Sequence, residues 1–382
     1  MSHKKKIAYV TGTRADFGLM TPVLRAVQKS AKLSLSVYAT GMHLMPQFSR
    51  TITVVRKSFP DVKAIKAILQ ENTPAGTALF LAGALAGVTK AFSKNRPNLV
   101  LLLGDRPEML ATAAACLYLK IPTAHLHGGE RSGTGDEVAR HAIAKLSSLH
   151  FTATRDAADR VRKMGEDAWR IHVVGAPALD TILRAALPSK RAVSAFASIP
   201  REGKFVLLVQ HPGEAYASAG SEMEETIAAL KKLALPVVAV YPNADAGSER
   251  IIRILESKRR NPLFRIFKNI PHEMFLALER DAAVWIGNSS AALIEGASWR
   301  TPVVNIGERQ KGRLRGKHVI DVRSARADIA AAVEKALYNR RFRKALRTTD
   351  NPWGDGKTGP RVAKLLEQLT IDDHLLNKQI SY

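Results

Sequence analysis

The chain has 382 residues, 46% of them hydrophobic, with 58 Lys and Arg against 34 Asp and Glu and a formal charge of +24. That length suits about two domains, and apolar residues distributed along the whole chain exclude extensive disorder. The single cysteine, Cys116 in an alanine-rich run, excludes a disulfide framework or a cysteine-built metal site within one chain.

In chain order, Lys4-Lys5-Lys6 leads straight into Ile7 to Val10, a run too short for a signal-peptide core. No apolar stretch comes near the roughly 18 residues that span a bilayer. A soluble, cytoplasmic protein without a membrane partner is therefore expected. Short β-branched runs then alternate with longer, alanine- and leucine-rich segments of helical period, the pattern of parallel sheets covered by helices on both faces. Predicted strands in the first half are Ile7 to Thr11, Leu33 to Tyr38, Leu99 to Leu103, Thr123 to Leu126, Leu149 to Ala153 and Ile171 to Val174. The rhythm restarts with Phe205 to Gln210, Val237 to Tyr241, Phe264 to Phe267, Val284 to Gly287, Val303 to Ile306 and His318 to Val322. Between the halves, Pro177 to Pro200 reads as a short helix followed by a linker. The expected fold class is α/β: two doubly wound, Rossmann-like domains at residues 1–180 and 181–364, with a C-terminal helix at about 365–382 returning to the first.

In such sheets ligands bind beyond the carboxyl ends of the strands, and polar, glycine-rich clusters recur there. Thr11-Gly12-Thr13-Arg14, continuing to Gly18, offers backbone N–H groups and a guanidinium to a diphosphate, or is a glycine turn with a structural arginine. In Gly104-Asp105-Arg106-Pro107-Glu108, Asp105 is either a helix cap or an acid/base group tuned by Arg106. His125 and His127, two apart on a strand, are expected to share one face. With Glu130, Asp136 and the Arg140-His141 pair they suit proton transfer better than metal binding, since no His-x-x-x-His spacing follows; no metal is expected. Asp136 is also a candidate helix cap.

In the second half, His211-Pro212-Gly213 follows one strand and Tyr241-Pro242-Asn243 ends the next. Gly287-Asn288-Ser289-Ser290 sets serines at a helix start, where oxyanions bind, and Glu295 a turn later suits ribose hydroxyls. Asn305-Ile306-Gly307 through Arg309 to Arg315 suits a diphosphate or is a solvated basic loop.

In order and spacing together, these elements resemble the hydrolysing UDP-N-acetylglucosamine 2-epimerases of the sialic-acid and legionaminic-acid pathways, over nearly the whole chain. The resemblance implies a glycosyltransferase-B architecture, a UDP-sugar substrate, no cofactor, and a homodimer or homotetramer. It also implies the chemistry. A base takes the C2 proton of the sugar while UDP leaves from C1; water then adds to the unsaturated 2-acetamidoglucal, and a proton returns to C2 from the other face. Position by position, Asp105 and Asp136 match catalytic carboxylates, and His211 matches a site histidine near the diphosphate. Arg14, Gly18, Arg106, Asn243, Ser289, Ser290, Glu295 and Arg309 match positions that hold UDP. Where some members carry a catalytic glutamate this chain has His127, which leaves Glu130 as the required carboxylate and His127 as its assistant.

The substrate implied is UDP-N-acetylglucosamine, yielding N-acetylmannosamine. The alternatives are UDP-N,N′-diacetylbacillosamine, a non-hydrolysing epimerase that keeps UDP on its product, and a glycosyltransferase on the same scaffold. Nucleic acid, the partner a charge of +24 would otherwise suggest, is not expected, because the basic clusters at Lys258-Arg259-Arg260, Arg309 to Lys317 and Arg340 to Arg347 are scattered and not interleaved with aromatics.

Overall fold

The computed structural model describes residues 4–381 apart from 47–49, 72, 133–134, 184–185, 201–202, 214–215, 232, 244 and 349. Its apolar β-branched runs form two wholly parallel sheets. The first contains β1 (Lys5–Thr11), β2 (Leu33–Ala39), β3 (Lys63–Ala64), β4 (Leu99–Leu103), β5 (Thr123–Leu126), β6 (Leu149–Thr152) and β7 (Ile171–Val173), in the order β3-β2-β1-β4-β5-β6-β7. The second contains β8 (Val206–Val209), β9 (Val237–Val240), β10 (Phe264–Phe267), β11 (Val284–Gly287), β12 (Val303–Ile306) and β13 (Val319–Val322), in the order β10-β9-β8-β11-β12-β13. In both, the order reverses direction beside the first strand, the Rossmann-type switch that opens a crevice at the strands' carboxyl ends. Every expected strand is present. The addition is β3, two exposed residues that carry no apolar signal.

Two compact units divide the chain: Met1–Glu130, Gly135–Leu183 and Trp353–Tyr382 form one, and Arg131–Thr134 with Arg184–Pro352 forms the other. The return to the first unit thus begins at Trp353, ahead of the expected residue 365. Asp180 holds that return, its carboxylate accepting from the Thr358 and Gly359 amides at 2.7 and 2.6 Å and so capping the helix Thr358–Gln368. Gly359 lets this helix lie against the helix Arg14–Lys29, since a Cβ there would sit 2.9 Å from the Pro22 carbonyl oxygen.

Alternation along the strands of the second unit builds a core on each face. Val206, Leu208, Val284 and Ile286 pack on one side, and Phe205, Leu207, Val209 and Trp285 on the other. The supposed linker contributes here, because Val193 and Ala197 of the helix Lys190–Ala197 are buried in the second of these cores.

One expectation fails. The helix Pro74–Lys94, 21 residues, is long and apolar enough to cross a bilayer by length and composition. Its glycines and threonines hid that length in the sequence. Phe80, Ala84, Val88 and Phe92, four apart, bury one stripe in the first unit, and the helix packs beside the helix Pro107–Tyr118.

Candidate active site

In the first unit, β4 ends at Gly104, whose left-handed φ of +70° turns the chain outward and carries Asp105 beyond the strand end. His125 on β5 holds that turn, its Nε2 donating to the Gly104 carbonyl oxygen at 2.7 Å. Burial pushes the His125 imidazole down to about 3, so it is a neutral structural group. The expectation that His125 and His127 share a strand face is corrected here. β5 stops at Leu126, and His127 adopts a left-handed φ of +60°, so the alternation that would align the two rings is broken between them. His127 pairs instead with Glu130, Nδ1 facing the carboxylate oxygen Oε1, and both are buried. Its ring also lies 6.3 Å from that of Trp353. Gly129 between them admits the tight turn, because a Cβ there would fall 2.3 Å from the Ala157 carbonyl oxygen.

Arg140, which the sequence reading left without a role, connects these groups. Its guanidinium is almost fully buried; Nη2 donates to Asp105 Oδ2 and Nη1 to the Glu130 carbonyl oxygen at 3.0 Å. Asp136 is exposed in the first turn of the same helix, Gly135–Leu146, where the macrodipole favours an anion. One arginine therefore registers the Asp105 turn, the His127–Glu130 turn and the helix bearing Asp136.

Beside them, Thr13 caps the helix Arg14–Lys29 reciprocally with Asp16, placing Arg14 at its first position. Asp16 also accepts from Tyr9 and Thr11 at 2.8 and 2.6 Å, and Thr11 reaches buried His43 at 3.0 Å. Gly18 is buried on that helix. Arg106 is the N-cap residue of the helix Pro107–Tyr118.

In the second unit, Asn288 organises the strand ends. Its side chain accepts from the His211 amide at 2.7 Å and donates to the His211 carbonyl oxygen at 2.9 Å. Its own carbonyl oxygen accepts from Arg309 Nη1 at 3.3 Å and Gln310 Nε2 at 3.0 Å. His211 Nδ1 accepts from the Asn243 amide at 3.3 Å, which leaves the ring proton on Nε2 as a donor. Gly287 is obligatory: at φ +132°, a Cβ would lie 1.9 Å from the Val209 carbonyl oxygen. The basic loop is tied down, with Arg315 donating to the Arg313 and Gln310 carbonyl oxygens at 3.0 and 2.6 Å.

Ser289 occupies the N-cap position of the short helix Ser290–Ile294 without a side-chain capping hydrogen bond, and Glu295 follows it. Glu295 is buried rather than on the surface. Its neighbour Glu279 is fully buried, and burial together with the second carboxyl raises its proton affinity well above the carboxylate range. Glu279 Oε1 and Glu295 Oε2 are buried without a hydrogen-bond partner among the described residues. Trp299 Nε1 donates to Glu279 at 3.3 Å. Asn288, Gln310, Arg140 and Glu279 act through partners remote in sequence; Asn288, Gln310 and Arg140 lie inside polar clusters that gave a signal in advance, and Glu279 gave none.

The model of one family, described as UDP-N-acetylglucosamine 2-epimerase, matches residues 25–367. The chain belongs to the UDP-N-acetylglucosamine 2-epimerase family. It is 37% identical, over 99% of its length and 100% of the relative's, to a protein of Legionella pneumophila named UDP-N,N′-diacetylbacillosamine 2-epimerase (hydrolyzing). It is 31% identical to the UDP-N-acetylglucosamine 2-epimerase of Neisseria meningitidis, over 95% of this chain and 94% of that one. The crystal structure of the Methanocaldococcus jannaschii UDP-GlcNAc 2-epimerase, in complex with UDP-GlcNAc and UDP, shares the fold at a TM-score of 0.77 and 20% identity, covering 94% of this chain and 99% of that one. The epimerase family's glycosyltransferase-B class, two Rossmann-like α/β units, is thus the fold of this chain.

Proposed function

We propose that this epimerase is of the hydrolysing kind, splitting a UDP-linked 2-acetamido sugar into UDP and the free sugar with its C2 centre inverted. The observation that carries the reading is Arg140, which fixes the Asp105 carboxylate and the turn of the His127–Glu130 pair in one hydrogen-bonded set on the helix bearing Asp136. Moving a proton off one face of C2 and back onto the other needs at least two proton carriers held in fixed relation. Asp105, Glu130 and Asp136 supply the carboxylates, and His127 holds the Glu130 carboxylate through a charge-assisted hydrogen bond. Uridine and diphosphate are assigned to His211, Asn243, Ser289, Ser290, Glu295 and Arg309 with Arg14, Gly18 and Arg106. There, Nε2–H of His211 and the guanidinium groups stabilise the charge that develops on departing UDP. The place of action is the cytoplasm, as a homodimer or homotetramer.

UDP-N-acetylglucosamine giving N-acetylmannosamine is the first substrate reading. UDP-N,N′-diacetylbacillosamine is the second, supported by the substrate for which the Legionella relative is named. The test compares kcat/KM on the two UDP-sugars with the products separated by anion-exchange chromatography. Free epimerised sugar plus UDP is expected. A product that retains UDP would assign the chain to the non-hydrolysing kind.

A further inference from the structure

Glu108 lies one residue beyond Pro107, in the first turn of its helix, and only 1% of it is exposed. Its Oε1 accepts from Arg106 Nε at 2.9 Å. The same carboxylate rests against the turn that carries Arg14: a Cβ at Gly12 would fall 1.9 Å from Glu108 Oε1 and 2.4 Å from its Cδ. A single carboxyl therefore joins the two loops that hold Arg106 and Arg14. Its other oxygen, Oε2, is buried without a hydrogen-bond partner among the described residues.

A carboxylate kept buried with one oxygen unpaired is costly, and a side chain needed only to fill the space against Gly12 would be cheaper if apolar. What the carboxyl adds is an acceptor that fixes the direction of a guanidinium. Arg106 has several rotatable bonds, and holding its Nε fixes the plane of the guanidinium before any ligand arrives, which lowers the ordering cost of binding an anion. We infer that Glu108 is a positioning residue, which locks Arg106 and the Gly12 turn into one preorganised anion-binding unit for the substrate's diphosphate. This rests on the UDP-sugar reading above. It also gives glycine at residue 12 a role although its φ is not in the left-handed region, since a Cβ there would displace the Glu108 carboxyl.

The test measures UDP binding by titration calorimetry, with melting temperature as a control for folding. Glu108→Gln keeps both the volume and an acceptor for Arg106 Nε and should retain most of the affinity. Glu108→Met keeps the volume without the acceptor and should weaken UDP by about tenfold, the scale of a lost charge-assisted contact. Glu108→Asp, which keeps the charge but withdraws it by one methylene, should weaken UDP similarly and serves if the Met variant does not fold. In an Arg106→Ala background the Gln, Met and Asp variants should bind UDP alike, since residue 108 acts through Arg106. Unchanged affinity in the Met or Asp variant, or a penalty that persists without Arg106, overturns the inference while leaving the functional reading in place. A parent enzyme that does not bind UDP at all overturns both.

Discussion

Arg140 divides its guanidinium between a side-chain carboxylate and a backbone carbonyl, so its loss would free two turns at once. Asp105→Asn keeps the shape of the Arg140 contact but removes a proton acceptor. It should lower kcat by at least about a thousandfold, within the range assigned to acid/base groups, while leaving UDP affinity within a few-fold. Isothermal titration beside an initial-rate assay checks this, and a variant with parental kcat would remove Asp105 from the chemistry. Gly287→Ala belongs to stability instead. Its backbone φ of +132° and the 1.9 Å approach to Val209 leave no room for a methyl group, and a loss of about 3 kcal/mol or more is expected in urea unfolding.

Among the elements, the strands were readable because buried parallel strands are continuous apolar runs, as Leu99 to Leu103 shows by being buried at every position. β3 was not readable, since Lys63 and Ala64 join the sheet only through backbone pairing with Tyr38 and Ala39. The clusters at the strand ends were legible as polar, glycine-rich interruptions. The wiring between them was not: His125 and His127 part company because one backbone dihedral changes sign, and Glu279 reaches Glu295 from another helix. The same limit concealed Asp180, which reads as a residue of a linker but caps a helix that starts 178 residues further along the chain. Asp180→Ala leaves two buried amides without an acceptor and should cost about 2 kcal/mol, visible as a fall of several degrees in the melting temperature. An unchanged melting temperature would mean that the return helix is held by packing alone.

For the whole molecule, buried ionisable groups set the response to acid. Burial holds His43 and His318 down to about 4 and His125 to about 3. Burial pushes Glu166 up, but His150, Lys145 and Lys378 outweigh it and bring the carboxyl down to about 2. The unfolded chain protonates these histidines near 6.5, whereas the folded chain resists. Their contribution is therefore fully present above about pH 6.5 and is lost as pH falls toward 4 and then 3. Glu166 adds a further loss below its ordinary carboxylate range. Melting temperatures recorded from pH 8 to pH 4 should decline mainly below about 6.5, and replacing His125 with Gln should flatten part of that decline; a profile flat to pH 4 would contradict this burial pattern.

One NMR measurement tests the proposed epimerisation at C2 with loss of UDP most directly. The protein is incubated with UDP-N-acetylglucosamine and, separately, UDP-N,N′-diacetylbacillosamine in heavy water, and the C2 proton of the product is observed. A free C2-epimerised sugar carrying deuterium at C2, released together with UDP from one of the two substrates, is the expected result. A free sugar that keeps its original C2 proton and configuration would show simple hydrolysis without epimerisation and contradict the assignment.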